Sequence, residues 1–448
     1  MNRCDRKKSW FPFEKVPRLT SQTFSDWFSG KFLEGCHTVL KFPSPKLTAK
    51  IATLIILSAG SWIFPHAQSS TASTVTTILT GLNFPLSLRF APDGRIFFNE
   101  KDTGNIRVIQ QNGTLLLTPF ATISPIFTDG ESGLLGIALD PSFASNGYLY
   151  AYFTYRDSQS FTHGRIVRYT AAGDTGTTPT NIFDVVSAAA NTPSYHNGGY
   201  IKFGPDGNLY AQVGEFHRGS PSQDLSSTTG KMLRMNSDGS VPSDNPFPES
   251  LVYALGIRNA FGFDFDRSNG RLIATEAGPN TDDEINIIVK GGNYGWPTCV
   301  GICHNPSFID PIVAFNTVVT PTGIATVAPN VYYFGEWNTG NLTRLELTAN
   351  GSVVSLRQIY TQNGGIIAVE MGPNGKLYFT SPNGIYTYDI QSPASTVTPS
   401  PVPIIIAIAA AIIVTAVLGY LAIRYRSKNS AQATARIQES KILGLFLR

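Results

Sequence analysis

Short apolar strands separated by polar turns recur through the middle of the chain. Each copy of the pattern has an apolar residue, a polar turn that ends in glycine, and then a strand with alternating apolar residues. Three close copies begin at residues 90, 203 and 371, and three looser copies begin at residues 139, 265 and 336. Asp-Gly and Asn-Gly turns are strong hairpin signals, because tight hairpin turns need residues with positive φ. The pattern therefore predicts six β-hairpins.

The spacing of these hairpins predicts the architecture. The turn glycines are Gly94, Gly147, Gly207, Gly270, Gly340 and Gly375. They give roughly 53 residues per hairpin, and four-stranded propeller blades repeat about every 40–50 residues, so six blades with some long loops fit. A pair of β-sandwiches, the alternative, would not explain one repeated turn motif. We expect an all-β, six-bladed β-propeller over residues 72–390.

Two apolar runs flank this region. Residues 402–423 form a run without a charged side chain, long enough for a C-terminal transmembrane helix, and basic residues follow in a tail over 424–448, which we expect in the cytoplasm. A shorter run within residues 1–67 fits a signal peptide or an uncleaved signal anchor. Residues 391–401 read as a Ser/Thr/Pro stalk. We therefore expect a single-pass protein of the cell membrane whose propeller faces outside the cytoplasm.

The charge distribution excludes one class of partner. The chain carries a formal charge of +3, but its basic residues concentrate at the two ends and leave the middle acidic. A protein that binds nucleic acid needs a basic face for the phosphates, so we expect no nucleic-acid partner. Hydrophobic residues make up 42% of the chain and charged residues 15%, which supplies a sizeable core and excludes a disordered chain.

Cys299 and Cys303 are the only cysteines between the two apolar runs. Outside the cytoplasm they could form a small disulfide loop. A metal site is the weaker interpretation, because no third and fourth ligands have suitable spacing.

Several polar residues lie outside the hairpin pattern. His196 precedes a Gly-Gly pair at the start of a strand, and Glu215 follows the next strand, so the two could meet and orient the imidazole as a general base. A packed histidine without a catalytic role is the alternative. Gly278 and Pro279 open an acidic turn, which is either a source of oxygen ligands for Ca²⁺ or a solvent loop. Arg258, followed by an asparagine, is either an anion clamp or a structural turn residue.

Four longer motifs carry a resemblance to a known family. They are HNGG at 196–199, GKMLRMNSDGSVPSDNPF at 230–247, LGIRNAFG at 255–262 and AGPNTDDEINIIVKGGNYGWP at 277–297. They resemble the glucose/sorbosone dehydrogenase family, the soluble-type aldose dehydrogenases that depend on pyrroloquinoline quinone (PQQ). The resemblance covers about residues 80–385. It implies a six-bladed propeller that oxidises an aldose sugar to its lactone with PQQ and Ca²⁺.

The resemblance also implies roles for individual residues. His196 matches the base that takes a proton from the C1 hydroxyl, and Glu215 matches the acidic residue that supports it. The carbonyls of Gly278 and Pro279 match those that hold the calcium of the cofactor.

Three further positions match the family's cofactor pocket. Arg258 and Asn259 match the pair that contacts the quinone. Glu131 stands where relatives have a glutamine, which adds a negative charge to the pocket.

Two departures concern the carboxylates of PQQ. A lysine of the fifth blade is replaced by Asn338, and an arginine pair before the last strand hairpin falls in residues 365–369, which contain no arginine. PQQ has three carboxylates, and each lost charge-assisted hydrogen bond costs about 1.5–3 kcal/mol. His217, Arg218 or Lys231 could replace the missing cations.

These departures leave a second function open. The propeller could have lost its cofactor and act outside the cell as a module that binds a protein or a glycan. Hedgehog-interacting proteins resemble the same family and act by binding.

Overall fold

The computed structural model describes residues 75–390 and separate helical positions between 419 and 438. Residues 75–390 form six antiparallel sheets of four strands, one of which carries an extra two-residue strand. Blade 1 contains β2 (Pro85–Phe90), β3 (Ile96–Glu100), β4 (Asn105–Ile109) and β5 (Ala121–Thr122). Blade 2 contains β6 (Leu134–Leu139), β7 (Tyr148–Arg156), β8 (Phe161–Ala172) and β10 (Thr180–Ala190), with the extra strand β9 (Thr175–Gly176). Blade 3 contains β11 (Gly198–Phe203), β12 (Leu209–Val213), β13 (Lys231–Met235) and β14 (Val252–Leu255).

The remaining three blades repeat the same order. Blade 4 contains β15 (Ala260–Asp266), β16 (Arg271–Glu276), β17 (Asp283–Ile288) and β18 (Val313–Phe315). Blade 5 contains β19 (Pro321–Ala328), β20 (Val331–Glu336), β21 (Asn341–Leu347) and β22 (Val353–Thr361). Blade 6 contains β23 (Val369–Met371), β24 (Leu377–Ser381), β25 (Gly384–Tyr388) and β1 (Val75–Thr80). A short α-helix, α1 (Phe143–Asn146), and a 3₁₀ turn (Ser220–Gln223) complete the described elements of residues 75–390.

The sheets form a closed ring. Successive innermost strands β2, β6, β11, β15, β19 and β23 contact one another, and β23 contacts β2 again. The first described strand pairs with the last, with Val75 opposite Tyr388, so the two ends of the domain close blade 6 together. The predicted six-bladed propeller is confirmed. A closed ring of short blades leaves only short, protected sheet edges.

Apolar packing lies between the blades instead of in one central core. Six clusters of buried side chains each join two neighbouring blades. In the cluster between blades 1 and 2, Phe97 packs edge-on against Phe120 and Phe143, with ring centroids 5.3 and 5.6 Å apart. These clusters cover both faces of each sheet with apolar side chains. The two ends of the central channel are therefore the places where polar functional groups can lie.

All six predicted turn glycines lie in turns between paired strands, and five of them lie between the first two strands of a blade. Glycines with positive φ occupy the turn between the first two strands in every blade except blade 5. Gly340 lies one hairpin later, between β20 and β21, and the first turn of blade 5 is Pro329-Asn330. Asn330 has φ +59°, a conformation that asparagine tolerates better than most residues. Gly340 therefore lies in a hairpin turn as predicted, but in the second turn of its blade instead of the first.

Four charged side chains meet where the innermost strands end. Lys202 of blade 3 lies with its Nζ 2.6 Å from Asp264 Oδ1 of blade 4 and 2.8 Å from Glu370 Oε1 of blade 6. Arg89 of blade 1 also pairs with Glu370, at 3.0 Å. Burial lowers the pKa of Lys202, but attraction to Asp264 and Glu370 outweighs burial and raises that pKa above the usual value. The network joins four blades at this end of the channel.

The predicted segments outside the propeller are mostly not described. The N-terminal region 1–67, the stalk 391–401 and nearly all of the predicted membrane span 402–423 lie outside the described residues. Among the residues that are described, no helix has the length and apolar character needed to cross a membrane. Cys299 and Cys303 are bonded, with Cα atoms 6.1 Å apart.

The ion-pair network yields a prediction of stability. Lys202→Met leaves Asp264 and Glu370 buried without this cation, so we expect the free energy of unfolding to fall by about 3 kcal/mol. Urea unfolding followed by circular dichroism measures it. Lys376→Met is the matched control, because Lys376 pairs with Asp389 where both side chains are more than 40% exposed, and such pairs contribute about 0–1 kcal/mol. Equal losses for both variants would contradict a stabilising role for the network.

Candidate active site

The predicted site residues lie at the end of the channel where the innermost strands begin. Glu131 lies just before β6, His196 just before β11, and Arg258 and Asn259 just before β15. Glu215 follows β12 in the same blade as His196. Parallel innermost strands begin at the same end of a propeller, so residues distant in sequence converge there.

His196 and Glu215 form a buried pair. The imidazole Nδ1 lies 2.6 Å from Glu215 Oε1, and the two residues are 7% and 2% exposed. With Nδ1–H donating to the carboxylate, Nε2 keeps its lone pair and can accept a proton. The main chain of His196 has φ +62°. Gly214 permits this close approach, because a Cβ there would lie 2.0 Å from the carbonyl oxygen of His196.

Glu131 joins this pair to the next blade. Its Oε2 accepts the main-chain N–H of His196 at 2.7 Å and the side-chain N–H of Asn259 at 3.1 Å. The main-chain N–H of Glu215 in turn donates to the carbonyl of Arg258 at 3.0 Å. Hydrogen bonds therefore connect His196, Glu215, Glu131 and Asn259 into one cluster.

The Arg258 guanidinium has its own contacts and forms no hydrogen bond to that cluster. It donates to the carbonyl of Ala277 at 2.8 Å and lies over the ring of Trp296, 5.2 Å from the centroid. Burial lowers the pKa of Arg258. The guanidinium nevertheless stays charged, because the ordinary arginine pKa is far above neutrality.

Gly278 and Pro279 lie beside Arg258. The three residues line a cavity of about 10 Å³, which has the size of one water or one ion. Within the described range 75–390, neither carbonyl accepts a hydrogen bond, so both are available to water or to a cation. The same range contains no group of three His, Cys, Asp or Glu side chains placed to hold a metal. Any cation here would meet these carbonyl oxygens together with the carboxyl groups of Glu276 and Glu284, which line the same cavity.

The acidic turn after Pro279 is largely structural. Asp283 is buried and accepts the main-chain N–H groups of Gly278, Val319 and Thr320 at 2.8, 2.7 and 2.6 Å. Glu284 is buried and accepts the N–H of Gly301 at 2.8 Å. The alternative of a solvent-exposed acidic loop is therefore wrong for these two side chains.

Glu276 is a buried acid in the wall of the small cavity. Burial first, and then the negative charge of Glu284, raise the pKa of Glu276 to about 8. Burial also raises the pKa of Glu284. Two carboxyl groups in one low-dielectric site cannot both ionise freely.

The larger cavity at this end has a volume of 350 Å³. This volume lies within the range of about 300–1,000 Å³ that small-molecule sites have. Glu131, Gly198 and Lys101 contribute polar groups to its wall. Aromatic and aliphatic side chains make up most of the remainder: Phe84, Leu86, Leu135, Tyr195, Tyr200, Phe261, Trp337 and Ile367.

Comparison with known proteins places this geometry in a family. The glucose/sorbosone dehydrogenase family matches residues 82–385. The chain belongs to the glucose/sorbosone dehydrogenase family. Quinoprotein glucose dehydrogenase B of Acinetobacter calcoaceticus is 35% identical over 254 residues, which are 50% of this chain and 52% of that protein. The chain thus spans about half the length of that relative.

Two other similarities bear on function. The PQQ-bound form of an aldose sugar dehydrogenase from Streptomyces coelicolor has a TM-score of 0.63 and 32% identity, over 71% of this chain and 98% of that one. The mouse Hedgehog-interacting protein is 29% identical over 262 residues, which are 49% of this chain and 37% of that protein. The family therefore includes proteins named as sugar dehydrogenases and proteins named for an interaction.

Neither position at which the family resemblance implies a cation holds a lysine or an arginine in this chain. Asn338, at the predicted lysine position, donates its amide to Thr320 Oγ1 at 3.0 Å and to the Val318 carbonyl. Ile366, Ile367 and Ala368 occupy the predicted arginine region, and all three are buried. These residues do not fit a cofactor with three carboxylates.

None of the three proposed substitutes, His217, Arg218 and Lys231, is among the residues that line the large cavity. Lys231 is fully buried, and its ammonium donates to the carbonyls of Pro221, Ser222 and Thr229 at 2.6, 3.0 and 2.9 Å. Burial lowers the pKa of Lys231 to about 8. His217 stacks on His196, with ring centroids 4.5 Å apart and an interplanar angle of 12°. Burial first, and then repulsion from His196 whenever its imidazole is protonated, lower the pKa of His217.

Lys101 lines the large cavity but was not among the residues predicted from the sequence. Lys101 follows Glu100, the last residue of β3, and its main-chain N–H donates to the carbonyl of Phe84 at 3.0 Å. Lys101 comes directly after a strand, where a loop begins. This position was the one sequence feature that pointed to it. The loop lies against blade 2, and this contact between blades is not visible in the sequence.

Glu276 yields a prediction of pH dependence. Its carboxyl binds a proton more tightly in the folded protein than in the unfolded one, whose pKa is about 4.3. This contribution to stability is complete below that value and is lost as pH rises through about 8. We expect the free energy of unfolding, measured with chelator between pH 5 and 8, to fall less steeply for Glu276→Gln than for wild type.

The chelator matters because a bound cation would favour the ionised carboxylate. Glu346→Gln is the control, since Glu346 is 39% exposed and pairs with Arg344. An unchanged slope in Glu276→Gln would contradict the assignment of Glu276 as a proton-binding group of the folded state.

Proposed function

We propose that this chain is an oxidoreductase that oxidises an aldose at C1 to its lactone, with His196 as the general base. The observation that carries the proposal is the buried hydrogen bond between His196 Nδ1 and Glu215 Oε1 at the cavity end of the propeller. It holds the ring in the tautomer whose Nε2 can take a proton. Membership of a family with sugar dehydrogenases supports this assignment.

The proposed step breaks one C–H bond and one O–H bond of the sugar. Nε2 of His196 takes the proton of the C1 hydroxyl, while C1 releases a hydride to a two-electron acceptor. The C1–O bond becomes a carbonyl and the sugar leaves as the lactone. Glu215 stabilises the imidazolium that forms, and solvent then removes its proton. A base positioned in this way contributes roughly 10²–10⁴ in rate.

PQQ and Ca²⁺ are the cofactors that the family resemblance implies. When bound, the quinone accepts the two electrons. The free carbonyls of Gly278 and Pro279 support a cation site, and a relative named as a quinoprotein supports a quinone. The aliphatic residues 366–368 oppose the carboxylates of PQQ itself, so no step above depends on PQQ.

We also propose that the propeller faces outside the cytoplasm on a single C-terminal span. The uncharged run over 402–423 and the basic residues after it support this topology. The disulfide between Cys299 and Cys303 supports an oxidising compartment.

A binding module remains the second candidate. The observation that favours it is the apolar cavity wall without the predicted cations, formed by Phe84, Trp337 and Ile367. The Hedgehog-interacting protein shows that a relative can be named for an interaction. In that case the cavity would hold part of a partner protein or a glycan.

His196→Ala discriminates between the two functions. We expect it to lower kcat for aldose oxidation at least 100-fold, measured as reduction of a dye by the full-length chain with a bound quinone and Ca²⁺. His304→Ala is the control, because the side chain of His304 is 85% exposed, and it should keep wild-type activity. Circular dichroism checks that both variants fold. Wild-type activity in His196→Ala would contradict the role as base, and no activity in the wild-type chain would favour the binding module.

A further inference from the structure

One wall of the large cavity consists of aromatic and aliphatic side chains that can pack against an aromatic ligand. Trp337 lies 5.7 Å from Phe84, measured between ring centroids, and Ile367 completes the wall. Gly365 makes room for the indole, because a Cβ there would lie 2.7 Å from its Cε3 atom, and its φ of +91° suits glycine. Trp337 remains 38% exposed. Part of the indole surface is therefore available to a ligand.

The cavity presents one cationic side chain. Among its described lining residues, Lys101 is the one Lys or Arg. Its side chain is 8% exposed, and Nζ lies 5.3 Å from the centroid of the Phe84 ring. Gly133 accommodates the lysine, because a Cβ there would lie 2.6 Å from Lys101 Cγ. The charge is therefore held beside the aromatic wall.

The ion-pair partner of Lys101 can be replaced by a carboxylate of a ligand. The Lys101 Nζ contacts Asp102 Oδ1 at 2.5 Å, and the aspartate side chain is 42% exposed. A carboxylate that enters the cavity can replace this half-exposed partner without leaving a buried charge. Glu131, the other charged lining residue, is held by His196 and Asn259. The cavity thus offers a single charge-assisted contact to an anion.

We propose that this cavity binds a planar aromatic quinone with one carboxylate in preference to the tricarboxylate PQQ. The ring system lies against Trp337 and Phe84, and the carboxylate replaces Asp102 at Lys101. This inference rests on the proposed function, because it identifies the acceptor of that reaction. The quinone gains the hydride from C1 and one proton and becomes the quinol, while the sugar becomes the lactone.

The second and third carboxylates of PQQ account for the preference. Near Ile367 and Trp337 they would lose water without gaining a hydrogen-bond donor, and an unpaired buried charge is costly. The same apolar wall favours a ligand with an uncharged ring edge.

Calorimetric titration of the full-length chain with three probes tests the proposal. The probes are anthraquinone-2-carboxylate, its neutral analogue 2-(hydroxymethyl)anthraquinone, and PQQ, each with Ca²⁺. We expect the monocarboxylate to bind at least tenfold more tightly than either of the others. Tighter binding of PQQ than of the monocarboxylate, or no binding of any probe, would overturn the proposal.

Three variants locate the contacts. Lys101→Met should weaken the monocarboxylate about tenfold and leave the neutral analogue unchanged, whereas the control Lys290→Met, on a lysine 49% exposed outside the cavity, should change neither. Asn338→Lys, at an exposed position, should tighten PQQ about tenfold. Equal binding of the monocarboxylate to Lys101→Met and wild type would overturn the assignment of Lys101.

The titration separates this inference from the proposed function. Preference for PQQ together with sugar oxidation that requires His196 would reject the inference and keep the dehydrogenase. Preference for the monocarboxylate without sugar oxidation under any condition would reject the dehydrogenase and keep the ligand class.

Discussion

The hydrogen bond between His196 and Glu215 is the interaction on which the proposed chemistry depends. A buried carboxylate is costly unless it is paired, and here the imidazole provides the partner at 2.6 Å. The surrounding backbone is arranged to maintain this pair, with His196 in the left-handed region and Gly214 against its carbonyl. Glu131 then connects the pair to blade 4 through Asn259. The base is thereby fixed by groups from three successive blades.

The two ends of the channel differ in the polarity of the side chains that line them. Where the innermost strands end, Arg89, Lys202, Asp264 and Glu370 neutralise one another. Tyr200 lies between that network and the large cavity, because it lines the cavity and its hydroxyl lies 3.4 Å from Glu370. Where the strands begin, the cavity is mostly apolar, so a ligand there meets few competing charges. The charged groups at this end lie mainly in the His196–Glu215 pair and around the small cavity beside Arg258.

The fold was predictable because the hairpin signal is local. A turn glycine and an alternating strand report on residues adjacent in sequence, and their repetition implies the ring. In blade 5 the first turn carries Asn330 instead of glycine at a left-handed position, so the repeated motif marks the second turn there. His196 and Glu215 were also predictable, since they flank neighbouring strands of one blade. Lys101 and the stacking of His217 were not predictable, because contacts between blades and the direction of a loop side chain have no sequence signature.

Lys231 shows the opposite kind of error. Its sequence position suggested a cation for the site, but its ammonium is fully engaged by backbone carbonyls.

The central claim is that the imidazole of His196 removes the proton in sugar oxidation. Chemical rescue tests it most directly: aldose oxidation by His196→Ala is measured as free imidazole is added across a range of pH. The account predicts activity that rises with the concentration of neutral imidazole and falls when the added imidazole is protonated. A folded His196→Ala variant that keeps wild-type activity and does not respond to imidazole would contradict the account.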